Sequence, residues 1–307
     1  MPRVRLIAAG DLHHMASNRD SLLCARALEL WRLLEAQVAS QNPDALLQLG
    51  DLIDGYQLPI DVCRRDLEAV QAVFDKSPVP VHALIGNHET VYLPDRPFML
   101  RTLHWEDFSR VVEIGPLRVV LFDLTVDGES YGLLTPERAA WLEAAVTRAP
   151  QKPVLLLQHP LVHPKESVCE HRHYVQNSGA YRELLARLPQ IVMLLTGHRH
   201  IPDLLEIPGT KPSTPAPGQR IGVLPQITLA AFCSYPLTFA ELHADAEART
   251  LTFRELPLEP QPAHPISKEL PALLREVLET KVQELPEVWR GRERMTPALR
   301  EVKVRWA

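Results

Sequence analysis

Polar residues set directly after short apolar runs constrain this chain more than any other feature. Five such runs end in Asp11-Leu12-His13, Gly50-Asp51-Leu52-Ile53-Asp54, Gly86-Asn87-His88-Glu89, His159-Pro160 and Gly197-His198-Arg199-His200. The runs read as strands at 5–9, 45–49, 81–85, 154–158 and 191–195, with a further one at 118–122. Between them, 21–39 repeats Leu22, Ala25, Leu28, Leu30, Leu33 and Leu34 at helical spacing. Residues 61–74, 136–147 and 180–188 read as further helices, and Thr135 is placed to cap the second of these. Strands alternating with crossover helices specify an α/β fold, whose ligand-facing loops leave the carboxyl ends of the strands. The polar groups at the strand ends are therefore expected to converge on one rim.

Further along, 222–229, 237–244 and 250–256 read as strands that complete a second sheet, after a Pro/Gly/Ser/Thr-rich loop at 208–219. A catalytic domain is expected over 1–258 and a C-terminal helical extension over 259–307. The extension holds a Pro-rich connector and an amphipathic helix at 270–285 with Leu273, Leu274, Val277, Leu278 and Val282 on one side, expected to dock on the core with a charged, solvated exterior, with a dimer contact or a flap as the alternatives. A chain of 307 residues suffices for one substantial core, and a formal charge of −5 gives no basic field to draw it onto nucleic acid or an anionic membrane. Cys24, Cys63, Cys169 and Cys233 form no paired motif, which disfavours a zinc ribbon or a disulfide framework. Without an apolar leader after Met1-Pro2-Arg3 or a run of about 20 apolar residues, a cytoplasmic location is expected.

Two adjacent cations need nitrogen and oxygen ligands and a bridging carboxylate that lowers their repulsion, and Asp51 suits the bridge. Asp11 and His13, like His198 and His200, stand two residues apart, which on an extended segment sends both side chains to the same side. His163, Lys165, Arg172 and His173, in the long stretch after His159, are candidate substrate contacts from a capping loop.

In this order, D-x-H, G-D-x-x-D, G-N-H-D/E, a lone His and G-H-x-H make the sequence resemble the calcineurin-like metallophosphoesterases over roughly residues 5–254. The resemblance implies a four-layer αββα sandwich of two mixed β-sheets flanked by helices. It implies one metal on Asp11, His13, Asp51 and His200 and a second on Asp51, Asn87, His159 and His198. His88, with Asn87, would contact the phosphate; His88 would protonate or orient the leaving group, Asp54 would pair with it to keep it protonated, and a metal-bridging hydroxide would be the nucleophile. Manganese is the first choice of divalent ion, with iron, zinc or cobalt as alternatives.

The sequence around 45–55, 86–89 and 176–182 looks most like a branch holding manganese-dependent ADP-ribose/CDP-alcohol diphosphatases and cyclic-nucleotide and glycerophosphodiester phosphodiesterases. A small-molecule phosphodiesterase or nucleoside-diphosphate-linked pyrophosphatase is expected. The diphosphatases usually carry Gln where this chain has His13. A nuclease of the same fold, a phosphomonoesterase and a non-catalytic scaffold are the alternatives.

Overall fold

The computed structural model describes residues 3–163, 171–284 and 301–307. Its strands are β1 (Arg3–Ala9), β2 (Ala45–Gln48), β3 (Val81–Ala83), β4 (Arg110–Ile114), β5 (Leu117–Leu121), β6 (Val154–Leu157), β7 (Ile191–Thr196), β8 (Asp203–Ile207), β9 (Leu224–Thr228), β10 (Thr238–Asp245), β11 (Thr250–Pro257) and β12 (Glu301–Arg305). They form two sheets, ordered β12-β11-β10-β1-β2-β3 and β4-β5-β6-β7-β9-β8. Both are mixed: β1, β2 and β3 are parallel in the first, β5, β6, β7 and β9 in the second, and the remaining pairings are antiparallel.

Side-chain alternation along the strands sorts the core into layers. In β1, Leu6 and Ala8 join Val119, Leu155 and Leu195 of the other sheet in the core between the two, while Ile7 and Ala9 turn to the opposite face. That outer face is covered by α1 (Ala27–Val38) and α2 (Ile60–Phe74) through Leu30, Leu34, Leu67 and Val70. The short helices α3 (Asn87–Tyr92) and α4 (Arg96–Thr102) follow β3. On the far side, α5 (Pro136–Thr147) and α6 (Ser178–Arg187) cover the second sheet with Leu142, Val146, Tyr181 and Leu185. Thr135 caps α5 by accepting a hydrogen bond from Arg138 N. The result is an αββα sandwich, and each fully buried leucine in it is worth about 1.5–3 kcal/mol of transfer free energy.

Two expectations need correction. Of the three strands expected at 222–229, 237–244 and 250–256, the first (β9) enters the second sheet, whereas β10 and β11 extend the first, because β10 pairs antiparallel with β1 from Arg3↔Asp245 to Ala8↔Ala240. Residues 259–307 contain the helix α7 (Leu270–Glu284), docked through Leu270 and Val277, but they also contain β12, which is no part of a helical extension. β12 pairs with β11, and the buried Trp306 reaches the core between the sheets. Ala307 N donates to Gln219 O at 2.7 Å, and Ile221 N to Arg305 O at 2.9 Å, so this segment clips both sheets together.

Candidate metal centre

Loops leaving the carboxyl ends of β1, β2, β3, β6 and β7 meet where the two sheets abut. Their positions are held by buried polar side chains from outside the ligand set. Gln48 donates to Gly10 O at 3.1 Å and to Gly50 O at 2.8 Å, and accepts from Gly50 N at 2.8 Å, fastening the first loop to the second. Glu89 accepts from Ile53 N at 2.9 Å and Gly86 N at 2.6 Å, fastening the second to the third. Tyr181 OH donates to Gln158 Oε1 at 2.5 Å, beside His159. Across the sandwich, His198 N donates to both oxygens of Asp11 at 3.0 and 2.9 Å, and His159 Nδ1 to Leu49 O at 2.8 Å.

The backbone here is strained. His13, Asp51, His198 and His200 all have left-handed φ, at 49°, 50°, 69° and 58°, a region non-glycine residues seldom adopt and which concentrates at functional sites. The expectation of extended geometry at Asp11/His13 and His198/His200 is therefore wrong. The first pair converges through a turn in which Leu12 N and His13 N both donate to Asp51 O, at 2.9 and 2.8 Å. Gly50, at φ 96°, admits no side chain, since a Cβ would lie 2.7 Å from His159 Nδ1 and 2.8 Å from Ile85 O.

Asp11, His13, Asp51 and His200 bring ligand atoms within 4.8 Å of one another, and Asp51, His159 and His198 do the same. Asn87 Oδ1 lies 3.1 Å from His159 Nε2, so the amide borders the second group. Asp51 belongs to both, with Oδ2 3.6 Å from His13 Nε2 and 3.2 Å from His159 Nε2. A third group comprises His13, Asp54 and His88.

The donor chemistry fits divalent cations. Asp11, His13 and Asp51 are at most 1% exposed. Burial pushes the Asp11 carboxyl up to about 6. Burial opposes charge on His13 and His159 as well, but the Asp54 hydrogen bond and surrounding carboxylates outweigh it at His13, and Asp51 does so at His159, raising each to about 9. Protons thus supply the positive charge that the buried carboxylates require. His13 Nε2 and His200 Nε2 sit 2.8 Å apart, where they share at most one proton, whereas both lone pairs can serve one cation.

A family model described as calcineurin-like phosphoesterase matches residues 4–202. The chain belongs to that family. Among curated relatives of this chain, "Probable glycerophosphodiester phosphodiesterase GpdQ" of Arcobacter nitrofigilis is 30% identical over 165 residues, 52% of this chain and 57% of its own length. The 3′,5′-cyclic adenosine monophosphate phosphodiesterase CpdA of Escherichia coli K12 is 28% identical over 203 residues, 64% of this chain and 70% of its own. The match thus spans little more than half of the first relative and somewhat more of the second. The human manganese-dependent ADP-ribose/CDP-alcohol diphosphatase is 46% identical over 50 residues, 16% of this chain and 15% of its own. A dimetal phosphatase structure from Danio rerio shares the fold with a TM-score of 0.66 at 18% identity, covering 83% of this chain and 96% of its own.

In this member of the family, Asp54 does not pair with His88 in the expected way. His88 Nδ1 donates to the main-chain carbonyl of Asp54, while the carboxylate Oδ2 is 3.9 Å away and is engaged by Arg19 Nη2 at 3.0 Å and His13 Nδ1 at 3.2 Å. Burial outweighs the pull of Asp51 and Asp54 on His88 and pushes it down to about 4, so these carboxylates do not keep it protonated in the metal-free protein.

The centre opens into a cleft of about 320 Å³. Arg172 and His173 line it, beside Asn87 and His88. His163 is not among the described residues that line it; its main chain is tied to Gln226, and Lys165 lies outside the described residues. Arg19, Tyr56, Tyr92 and Arg199 also line the cleft, though sequence reading singled out none of them. Arg199 lies inside a motif and Tyr56 two residues beyond one, a usable signal; Arg19 has none.

Proposed function

We propose that this protein hydrolyses a small-molecule phosphodiester with two divalent cations, held by Asp11, His13, Asp51 and His200 on one side and by Asp51, Asn87, His159 and His198 on the other. The observation that carries this reading is Asp51, a buried carboxylate common to two ligand groups drawn from loops of both sheets. When bound, such a pair supplies an activated water and clamps the phosphoryl oxygens for in-line displacement. Manganese is the preferred ion, as a donor set of carboxylate, amide and imidazole without thiolate allows and as the human relative's name states for that protein.

The remaining work falls to the chain itself. Gln48 and Glu89 fix the loops, so the ligands meet substrate already in place. His88 lines the cleft with Nδ1–H committed to a carbonyl, which leaves Nε2 to the leaving oxygen. Negative charge of a phosphodiester in the cleft favours the protonated ring over the burial that disfavours it, and a protonated Nε2 can pass its proton to the departing alkoxide. Arg172 and Arg199 add positive charge on the wall that the anion approaches. The formal charge of −5 disfavours the nuclease alternative. A diphosphate-linked nucleoside is a second reading, favoured by the 46% identity to the human diphosphatase over 50 residues.

The test is hydrolysis of bis(p-nitrophenyl) phosphate, p-nitrophenyl phosphate, cyclic AMP, ADP-ribose and CDP-choline by metal-stripped protein reloaded with manganese. Manganese-dependent turnover of a diester is expected, falling about 100-fold or more in His88→Ala with both metals retained. Protein that holds two metals and yet cleaves none of these compounds would overturn the reading.

A further inference from the structure

Of the exposed large apolar or aromatic side chains among the described residues, Tyr56, Ile60, Val111, Leu204 and Ile221, Tyr56 alone lines the cleft. It is 42% exposed and stands at the mouth of a polar site. The ring is mounted rather than loose. The Arg19 guanidinium carbon lies 4.9 Å from its centroid, and Arg19 is itself pinned to Asp54 at 3.0 Å. Tyr92 meets the ring edge-on at 6.1 Å, and Gln57 Nε2 donates to the phenol oxygen at 3.2 Å.

The flanking backbone is shaped for this presentation. Gly55 has φ 67°, and a Cβ there would lie 2.6 Å from Tyr92 Cβ; Gln57, not a glycine, has φ 57°. Tyr56 N donates to Asp54 Oδ1 at 3.2 Å, and the carbonyl of the same Asp54 holds His88. Tyr56 and His88 are thus both tied to Asp54 and line the same cleft, and Arg19 backs one face of the ring as a fixed cation. Such a backed, preorganised aromatic is a stacking platform.

Resting on the phosphodiesterase reading above, we propose that Tyr56 determines specificity by stacking on a planar aromatic group, a nucleobase or an aryl ring, carried by the leaving-group side of the diester. Aliphatic diesters would forgo that contact.

The experiment compares kcat/KM of the manganese-loaded enzyme on bis(p-nitrophenyl) phosphate, cyclic AMP and glycerophosphoethanolamine for wild type, Tyr56→Ala, Tyr56→Phe and Ile60→Ala, with metal content measured for each. The ratio of aromatic to aliphatic kcat/KM should fall about tenfold or more in Tyr56→Ala, as expected for loss of one stacked ring. Tyr56→Phe should keep the ratio, and Ile60→Ala, exposed nearby but outside the cleft, should match wild type. A fall confined to cyclic AMP or to the aryl ester identifies which ring is stacked. Parallel losses on all three substrates, leaving the ratio unchanged, would overturn the proposal and make Tyr56 a packing residue. Calorimetric binding of AMP and of glycerol phosphate separates the two readings: Tyr56-dependent preference for AMP without hydrolysis retains the platform and sinks the phosphodiesterase. Equal binding of both compounds by wild type and Tyr56→Ala sinks the platform whether or not diesters are cleaved.

Discussion

The two halves of the candidate centre are braced by different chemistry. In the half with Asp11, His13 and His200, the outer nitrogen of His13 faces the Asp54 carboxylate at 3.2 Å, which in turn faces Arg19. In the half with His159 and His198, the outer nitrogens donate to neutral main-chain carbonyls, of Leu49 at 2.8 Å and Arg172 at 3.0 Å. A carboxylate behind a histidine makes it a more basic ligand than a carbonyl does, so the two halves should differ in how firmly they hold a cation. One side is stiffened by charge and the other by the backbone of a neighbouring loop.

The strongest way to probe this difference is to remove what both halves share. Asp51→Ala should lose both metals and all hydrolysis, measured by metal analysis of purified protein; retention of one ion would show that the halves are independent. Asp54→Asn should weaken one ion about 10–100-fold and spare the other, read by metal titration, and equal weakening of both would erase the distinction.

Proton competition gives the next effect. The folded-state values of His13 and His159, about 9, lie above the ordinary 6.5, so the stability they contribute is full below pH 6.5 and is lost as pH rises through 9. Asp11 at about 6 and Glu89, which burial raises to about 7, also cost stability as pH rises, with most of that change complete by neutrality. Metal-free protein should therefore melt several degrees lower at pH 9 than at 6.5, and metal binding should release protons and flatten the dependence. Asp54→Asn should reduce the His13 share of the slope, leaving the part that Asp51 and Asp11 supply. Smallest of all, Arg19→Ala should weaken the first ion a few-fold by leaving Asp54 with one partner fewer.

The centre was legible because its residues are polar types in places where a strand has just ended. A strand-end carboxylate is not sufficient by itself, however. Asp123 follows β5 and yet pairs with Arg96 at 2.9 Å, outside the ligand groups. Unread in the sequence were β4, β8 and β12, whose charged, half-exposed alternation suits the sheet edges they occupy and gives no long apolar run. Asp54 meets His88 through its main-chain carbonyl while its carboxylate turns to His13 and Arg19, a choice that depends on a turn at left-handed φ that spacing does not encode. Arg19 carries no sequence signal because it reaches the cleft from a loop, and Tyr92 reaches it from the end of α3, outside any motif.

The pairing of Glu301–Arg305 with β11 has a consequence for how the molecule is made. Every strand-end loop of the centre precedes residue 201, and the strand that completes the edge of its sheet follows a hundred residues later. At about 5–20 residues per second, a ribosome leaves β11 with an unpaired edge for seconds after it emerges. Through that interval the nascent chain carries a sticky flank that other chains can join, and Glu301–Arg305 acts as its built-in guard once translated.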